Sequence, residues 1–289
     1  MTLLENRYLK VSVRNKGAEL TSIFNKLTGI EHIWQGNPDI WGWHAPNLFP
    51  VVGGCINNAV LINGQSYPMK RHGFTRDSDF QIVEADSISA KFSLPFSSKT
   101  LESFPYQFEL QILYHLFDNV LRIEYKVVNL DEQTIYFGVG GHPAFNVPFN
   151  KNEKYEDYFL EFESPEKLER HTLDKEGLYD GKTELIAGYT NTLNLTKDLF
   201  DKDALVFKDL HSKKISLKSR NHDNRLEITF PHFQYLGLWA KPGATFVCIE
   251  PWLGCADTAG NPIELRDKEG IQHVDKGHVY EVAYTIAVF

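Results

Sequence analysis

The chain is short of cysteine, of positive charge and of long apolar runs. Only Cys55, Cys248 and Cys255 occur. Their number is odd, and the last two stand seven residues apart, which is not the close spacing of a zinc knuckle. Three buried free thiols are therefore expected, with neither a disulfide framework nor a structural metal. Lys and Arg together number 30 against 38 Asp and Glu, a net charge of −8. Such a balance offers no field for a phosphate backbone or an anionic bilayer, so nucleic acid and membranes are not expected partners. No apolar stretch is long enough to span a bilayer. Met1–Arg7 lacks the basic-then-apolar pattern of a secretory leader, so the expected location is the cytoplasm. There is no Gly-rich phosphate loop, no Gly-x-Ser-x-Gly elbow, and no His-x-Glu or His-x-x-x-His pair. The expectation is a site without metal or organic cofactor.

Helical periodicity is scarce too, and what replaces it is alternation. Leu9, Val11 and Val13 alternate with polar residues. So do Phe108 to Leu116, Leu121 to Val127, Leu226 to Phe230 and Tyr280 to Val288. Each run has one apolar face, as antiparallel strands lying on a core require. Asn63-Gly64, Asp180-Gly181, Pro242-Gly243 and Lys276-Gly277 read as turns between them. Ser164-Pro165 opens a segment to Arg170 that reads as a helical turn or two, with Ser164 as its cap. No βαβ rhythm, internal repeat or linker appears. Aromatics make up 13% of the chain, which suits cross-strand packing of flat rings. These features predict an all-β fold: residues 1–289 as a single large antiparallel β-sandwich with few short helices.

Three segments stand out chemically. In Arg71-His72-Gly73-Phe74-Thr75-Arg76, Gly73 permits a sharp turn or a close backbone approach. In Gly140-Gly141-His142-Pro143, the proline restrains the histidine backbone to extended conformations. Glu250 follows the apolar run Phe246–Ile249 and precedes Pro251-Trp252. A carboxylate there costs desolvation unless it is paired or functional, and an indole beside it is a platform for the apolar face of a sugar. Two imidazoles and a carboxylate make a general acid–base kit for work near neutral pH. The plainer readings are a solvated loop histidine at 72, a strand end at 142 and an ion pair of Glu250 with Arg266. The remaining histidines, His32 among them, read mostly as surface residues.

Taken in order, these segments resemble the site segments of the aldose 1-epimerase (galactose mutarotase) family, nearest its LacX-like bacterial branch. Trp34-Gln35-Gly36, the stretch from Trp41 to Gly53, and His72 to Asp77 extend the likeness over nearly the whole chain. The resemblance implies an antiparallel β-sandwich and an enzyme, an isomerase that interconverts α- and β-anomers of an aldose. It implies Glu250 as the base for the anomeric hydroxyl and His142 as the acid for the ring oxygen, standing on opposite sides of the sugar. It implies His72 and Asp203 as sugar-binding residues. One departure stands out: relatives carry a sugar-contacting arginine just after Val-Gly, where this chain has Gly54-Cys55, and Arg71 or Arg76 is placed to substitute. The expected partner is a small sugar or sugar phosphate. Two alternatives stay open: a hexose-phosphate epimerase in which Arg71 and Arg76 clamp a phosphate, and a non-catalytic sugar-binding or sensing protein.

Overall fold

The computed structural model describes all 289 residues. The alternating runs form the strands that their period foretells. Phe108–Phe117 and Val120–Asn129 pair along their whole length, with Ile112 opposite Tyr125 and Tyr114 opposite Ile123. Side chains two apart share a face, so this register puts both apolar sets on the same buried side. Val279–Val288 lies beside Val120–Asn129 and adds Val282, Tyr284, Ile286 and Val288 to that face. Each fully buried side chain of this size contributes roughly 1.5–3 kcal/mol.

These strands belong to one antiparallel sheet of 15 strands. From one end it runs Asn47–Leu48, Val139–Gly141, Phe246–Leu253, Tyr235–Trp239, Leu205–Phe207 and Tyr158–Leu173. It continues through Lys214–Ser219 and Arg225–Thr229 to the C-terminal strand and on to Gln81–Ala85. A sheet this long curls or splits into packed layers. One continuous apolar core joins Phe92 and Leu110 from its far half to Val247 and Ile249 from the near half. Leu9, Val11 and Val13, from a separate four-stranded sheet, pack into the same core. The fold is the expected large antiparallel β-sandwich. Its helices are one four-residue α-helix, Ser98–Leu101, and four short 3-10 turns. No helix is long and apolar enough to cross a membrane.

Three sequence expectations are corrected. Ser164–Arg170 is not helical but lies within the strand Tyr158–Leu173, paired with Tyr179–Asn194. The local capping signal loses to the hairpin, and Pro165 falls where the register slips between Glu161 and Glu166, so its missing N–H is not needed there. Asp180-Gly181 is not the turn. The chain reverses at Asp174–Gly177, where Gly177 N donates to the Asp174 carbonyl at 2.9 Å, and Gly181 sits inside the strand at φ +77°. His32 is not on the surface but fully buried. The three cysteines are free and buried, as expected.

Candidate active site

The register of the near end of the sheet builds the site. Gly140 faces Trp252, and Ala144 faces Cys248. Midway between these pairs the ladder is interrupted at His142-Pro143, and the residue opposite His142 in that register is Glu250. His142 Nε2 stands 3.0 Å from Glu250 Oε2. The glycines of the Gly-Gly-His-Pro segment make this approach possible. A Cβ on Gly140 would come within 2.7 Å of the Pro251 carbonyl oxygen, and one on Gly141 within 2.5 Å of the Tyr284 hydroxyl. Glu250 therefore pairs with His142 and not with Arg266, which is exposed beside Asp267. The carboxyl and the imidazole stand side by side, not on opposite sides of a sugar-sized space.

His72 joins them by another route. It adopts φ +66°, a left-handed conformation that costs a non-glycine residue about 1–3 kcal/mol. Gly73 follows at φ +75°, where a Cβ would lie 2.1 Å from the Phe49 carbonyl oxygen. The result is a ring 5.6 Å from His142 and 6.1 Å from Trp252 between centroids. Gly53 N donates to His72 Nδ1 at 3.1 Å. The neutral ring must then carry its hydrogen on Nε2, free to donate elsewhere.

Glu250, His142, His72, Asp203, Arg71, Arg76 and Trp252 all line one cavity of about 240 Å³. Every site residue read from the sequence is thus brought to a single place. Asp203 is held at φ +79° with its carboxylate accepting from Ala204 N. The Trp252 ring lies over Gly237, where a Cβ would come within 2.7 Å of it. Arg71 Nη2 donates to the Glu176 carbonyl at 2.9 Å, so its guanidinium packs against the Glu176-Gly177 turn. Arg76 stacks on Trp43 at 4.9 Å, and its Nε is buried without a protein partner. The same turn packs against Gly54: a Cβ there would meet the Gly177 carbonyl oxygen at 2.9 Å and Leu178 Cδ2 at 3.3 Å, so the turn occupies the space into which a side chain at 54 would grow.

Sequence reading missed several cavity residues. Trp41 stacks on His142 at 5.1 Å, Trp239 meets that ring edge-on at 6.0 Å, and Tyr179 and Val206 complete the wall. Glu19 was missed as well. It is buried, and Oε1 accepts from His44 N at 2.8 Å and Ala45 N at 3.0 Å, which pins the segment that carries Trp41. The only sequence signal for these was their aromatic or acidic character. The sequence marks Cys248 only as a buried free thiol, yet it lies beside the pair: its Sγ, a His142 ring nitrogen and a Glu250 oxygen are mutually within 4.8 Å.

Burial sets the charge state. It pushes the Glu250 carboxyl well above the usual carboxylate range, and the negative charge of Asp203 adds to this. It drives His142 down to about 3, with Arg76 adding to the fall. It also takes His72 well below 6.5, helped by His142, Arg76 and Arg71. Burial thus favours the charge-free pair, carboxylic acid with neutral imidazole. Carboxylate with imidazolium holds the same single proton, so the two forms differ only in where that proton sits across the 3.0 Å contact. The contact falls short of hydrogen-bond alignment, and neither Glu250 Oε2 nor His142 Nδ1 has a hydrogen-bond partner in the protein.

Known proteins share this fold. The family model for aldose 1-epimerase matches residues 1–273. Protein LacX of Lactococcus lactis subsp. lactis, in its plasmid and chromosomal forms, is 34% identical over 99% of this chain and 98% of its own length. A galactose mutarotase related enzyme from Lactobacillus acidophilus is 32% identical with a TM-score of 0.94, covering 99% of this chain and 96% of that one. A galactose mutarotase-like protein from Lactobacillus casei is 31% identical, also at 0.94, over the full length of both chains. With its three motif segments gathered in one cavity and its whole length matched, the chain belongs to the aldose 1-epimerase family.

Proposed function

We propose that this protein is an aldose mutarotase, which interconverts α- and β-anomers by acid–base ring opening at Glu250 and His142. The observation that carries the reading is their 3.0 Å contact on the wall of the cavity that also gathers His72, Asp203 and Trp252. The exchanging atoms, the anomeric hydroxyl and the ring oxygen, hang on the same carbon. Acid and base must therefore stand together, and the observed adjacency suits this better than placement across the ring.

The steps balance. In the carboxylate–imidazolium form, Glu250 takes the proton of the anomeric hydroxyl while His142 gives its proton to the ring oxygen. The bond from C1 to the ring oxygen breaks and leaves an open-chain aldehyde beside a neutral acid and a neutral imidazole. This is the form that burial favours, so the fold stabilises the charge-free side of the step. Rotation about C1–C2 presents the other face of the carbonyl, and the protons return as the ring closes. Each positioned proton transfer contributes about 10²–10⁴-fold. His72 stays neutral and donates through Nε2 to a sugar oxygen. Asp203 accepts from sugar hydroxyls, and Trp252 covers an apolar sugar face.

A second reading is favoured by one feature. Two guanidiniums line the cavity, and Arg76 Nε has no protein partner, which would suit a hexose phosphate. Polarimetry on freshly dissolved α-glucose, α-galactose and their 6-phosphates tests both. Acceleration by the wild type, lost in Glu250→Gln, supports the proposal, and the preferred sugar decides between the readings. No acceleration of any of the four would leave a sugar-binding role instead.

A further inference from the structure

The proton chemistry leaves one neighbouring side chain unused. Cys248 precedes Glu250 by two residues on the strand Phe246–Leu253, so both leave the same face. It is fully buried and free. A His142 ring nitrogen, Cys248 Sγ and a Glu250 carboxylate oxygen lie within 4.8 Å of one another. Thiol, imidazole and carboxylate form a mixed donor set that borderline-soft divalent ions such as Zn²⁺ accept and that Mg²⁺ and Ca²⁺ do not. Thiolate and carboxylate together bring two negative charges, which a dication cancels where an unbalanced buried charge would be costly. Glu250 Oε2 has no competing hydrogen-bond partner in the protein, and His142 Nε2 stands 3.0 Å from it. Bonds of roughly 2.0–2.3 Å place tetrahedral ligand atoms about 3.3–3.6 Å apart, so the site closes with a shift of about 1 Å. Glu250 and His142 line the cavity, which gives an ion its approach.

We propose that His142, Cys248 and Glu250 form a binding site for a thiophilic divalent cation of the zinc class. Because the ion takes the atoms between which the proton moves, the occupied site is an off state. That second statement rests on the mutarotase reading, whereas the binding itself does not.

Cobalt titration of the metal-free protein under argon tests the site without any sugar. The wild type should develop a thiolate-to-cobalt charge-transfer band that Zn²⁺ abolishes. Cys248→Ala should lose the band, while Cys55→Ala and Cys255→Ala keep it. Zinc affinity, read by competition with a chromophoric chelator, should weaken by about tenfold or more in Cys248→Ala and in Glu250→Gln, since losing a ligand costs at least as much as losing a group behind one. Circular dichroism checks folding, and Glu250→Gln, which keeps its shape, carries the test if Cys248→Ala does not fold. No thiolate band in the wild type, a band surviving in folded Cys248→Ala, or unchanged zinc affinity in Glu250→Gln would overturn the site. Zinc that binds without slowing an active enzyme would overturn the off state alone.

Discussion

Replacing His32 by Phe should remove much of the acid sensitivity of the floor beneath the active site. His32 is fully buried, edge-on to Phe149 at 4.9 Å, and neither ring nitrogen has a partner. Its backbone carbonyl accepts from Asn146 N at 2.8 Å, and Asn146 Nδ2 in turn bonds the carbonyls of Glu31 and Ile33. The residue thus lies directly behind the segment that carries His142. Burial lowers its pKa from 6.5 to about 4. The folded value is below the unfolded one, so between them the unfolded chain binds the extra proton. The neutral ring's contribution is intact above 6.5 and is lost as pH falls through that window. At about 1.36 kcal/mol per pH unit, the full loss is about 3 kcal/mol, of which about 2.5 kcal/mol is reached near pH 4.5. His142 and His72, also buried, push in the same direction, so the comparison must be between variant and wild type. Urea denaturation near pH 7 and near pH 4.5 gives the two stabilities. Any packing cost of the larger Phe is independent of pH and cancels. The gap should shift in the variant's favour by about 2.5 kcal/mol on acidification. An equal gap at both pH values would refute the argument that an unpartnered buried imidazole resists its proton.

Further outcomes follow from the site's supports. Gly141→Ala would bring a Cβ to 2.5 Å from the Tyr284 hydroxyl and 3.2 Å from that of Tyr125, so it should cost roughly 1–3 kcal/mol in denaturant stability and lower kcat by displacing His142. Unchanged values for both would show that the segment has slack. Glu19→Ala orphans the His44 and Ala45 amides, at roughly 1–3 kcal/mol each. It should lower Tm and blue- or red-shift the fluorescence of Trp41 as its segment loosens; a wild-type melt and spectrum would contradict this. Calorimetry of Arg71→Ala and Arg76→Ala should show any preference for a hexose 6-phosphate over its neutral hexose shrinking in both, whereas a preference that survives both would place the phosphate elsewhere.

Much of the fold was legible because strands with one wet face announce themselves. Leu110, Ile112 and Tyr114 alternate with solvent-facing partners, and no other period fits them. Phe246–Leu253 is buried at every position, so only its apolar run marked it as a strand. The error at Ser164–Arg170 came from a local signal, Ser-Pro, that a non-local partner overrode. The site's residues were legible one by one from their glycines, prolines and misplaced charge. Their geometry was not, because the 3.0 Å contact of His142 with Glu250 exists only through the register of strands distant in the chain. For the same reason Cys248 gave no hint of its neighbours. Glu31-His32-Ile33 reads as an ordinary half-wet stretch, and only the second layer closing over it buries the imidazole.

A two-residue cycle on anomer interconversion tests the central claim most directly. The kcat/KM of wild type, Glu250→Gln, His142→Asn and the double variant would be measured by polarimetry with the preferred sugar. If the two residues pass one shared proton, each single change disables the pair, and all three variants should fall by a similar factor of about 10²–10⁴. Losses that multiply in the double variant, or a single variant that keeps the wild-type rate, would contradict the shared-proton account.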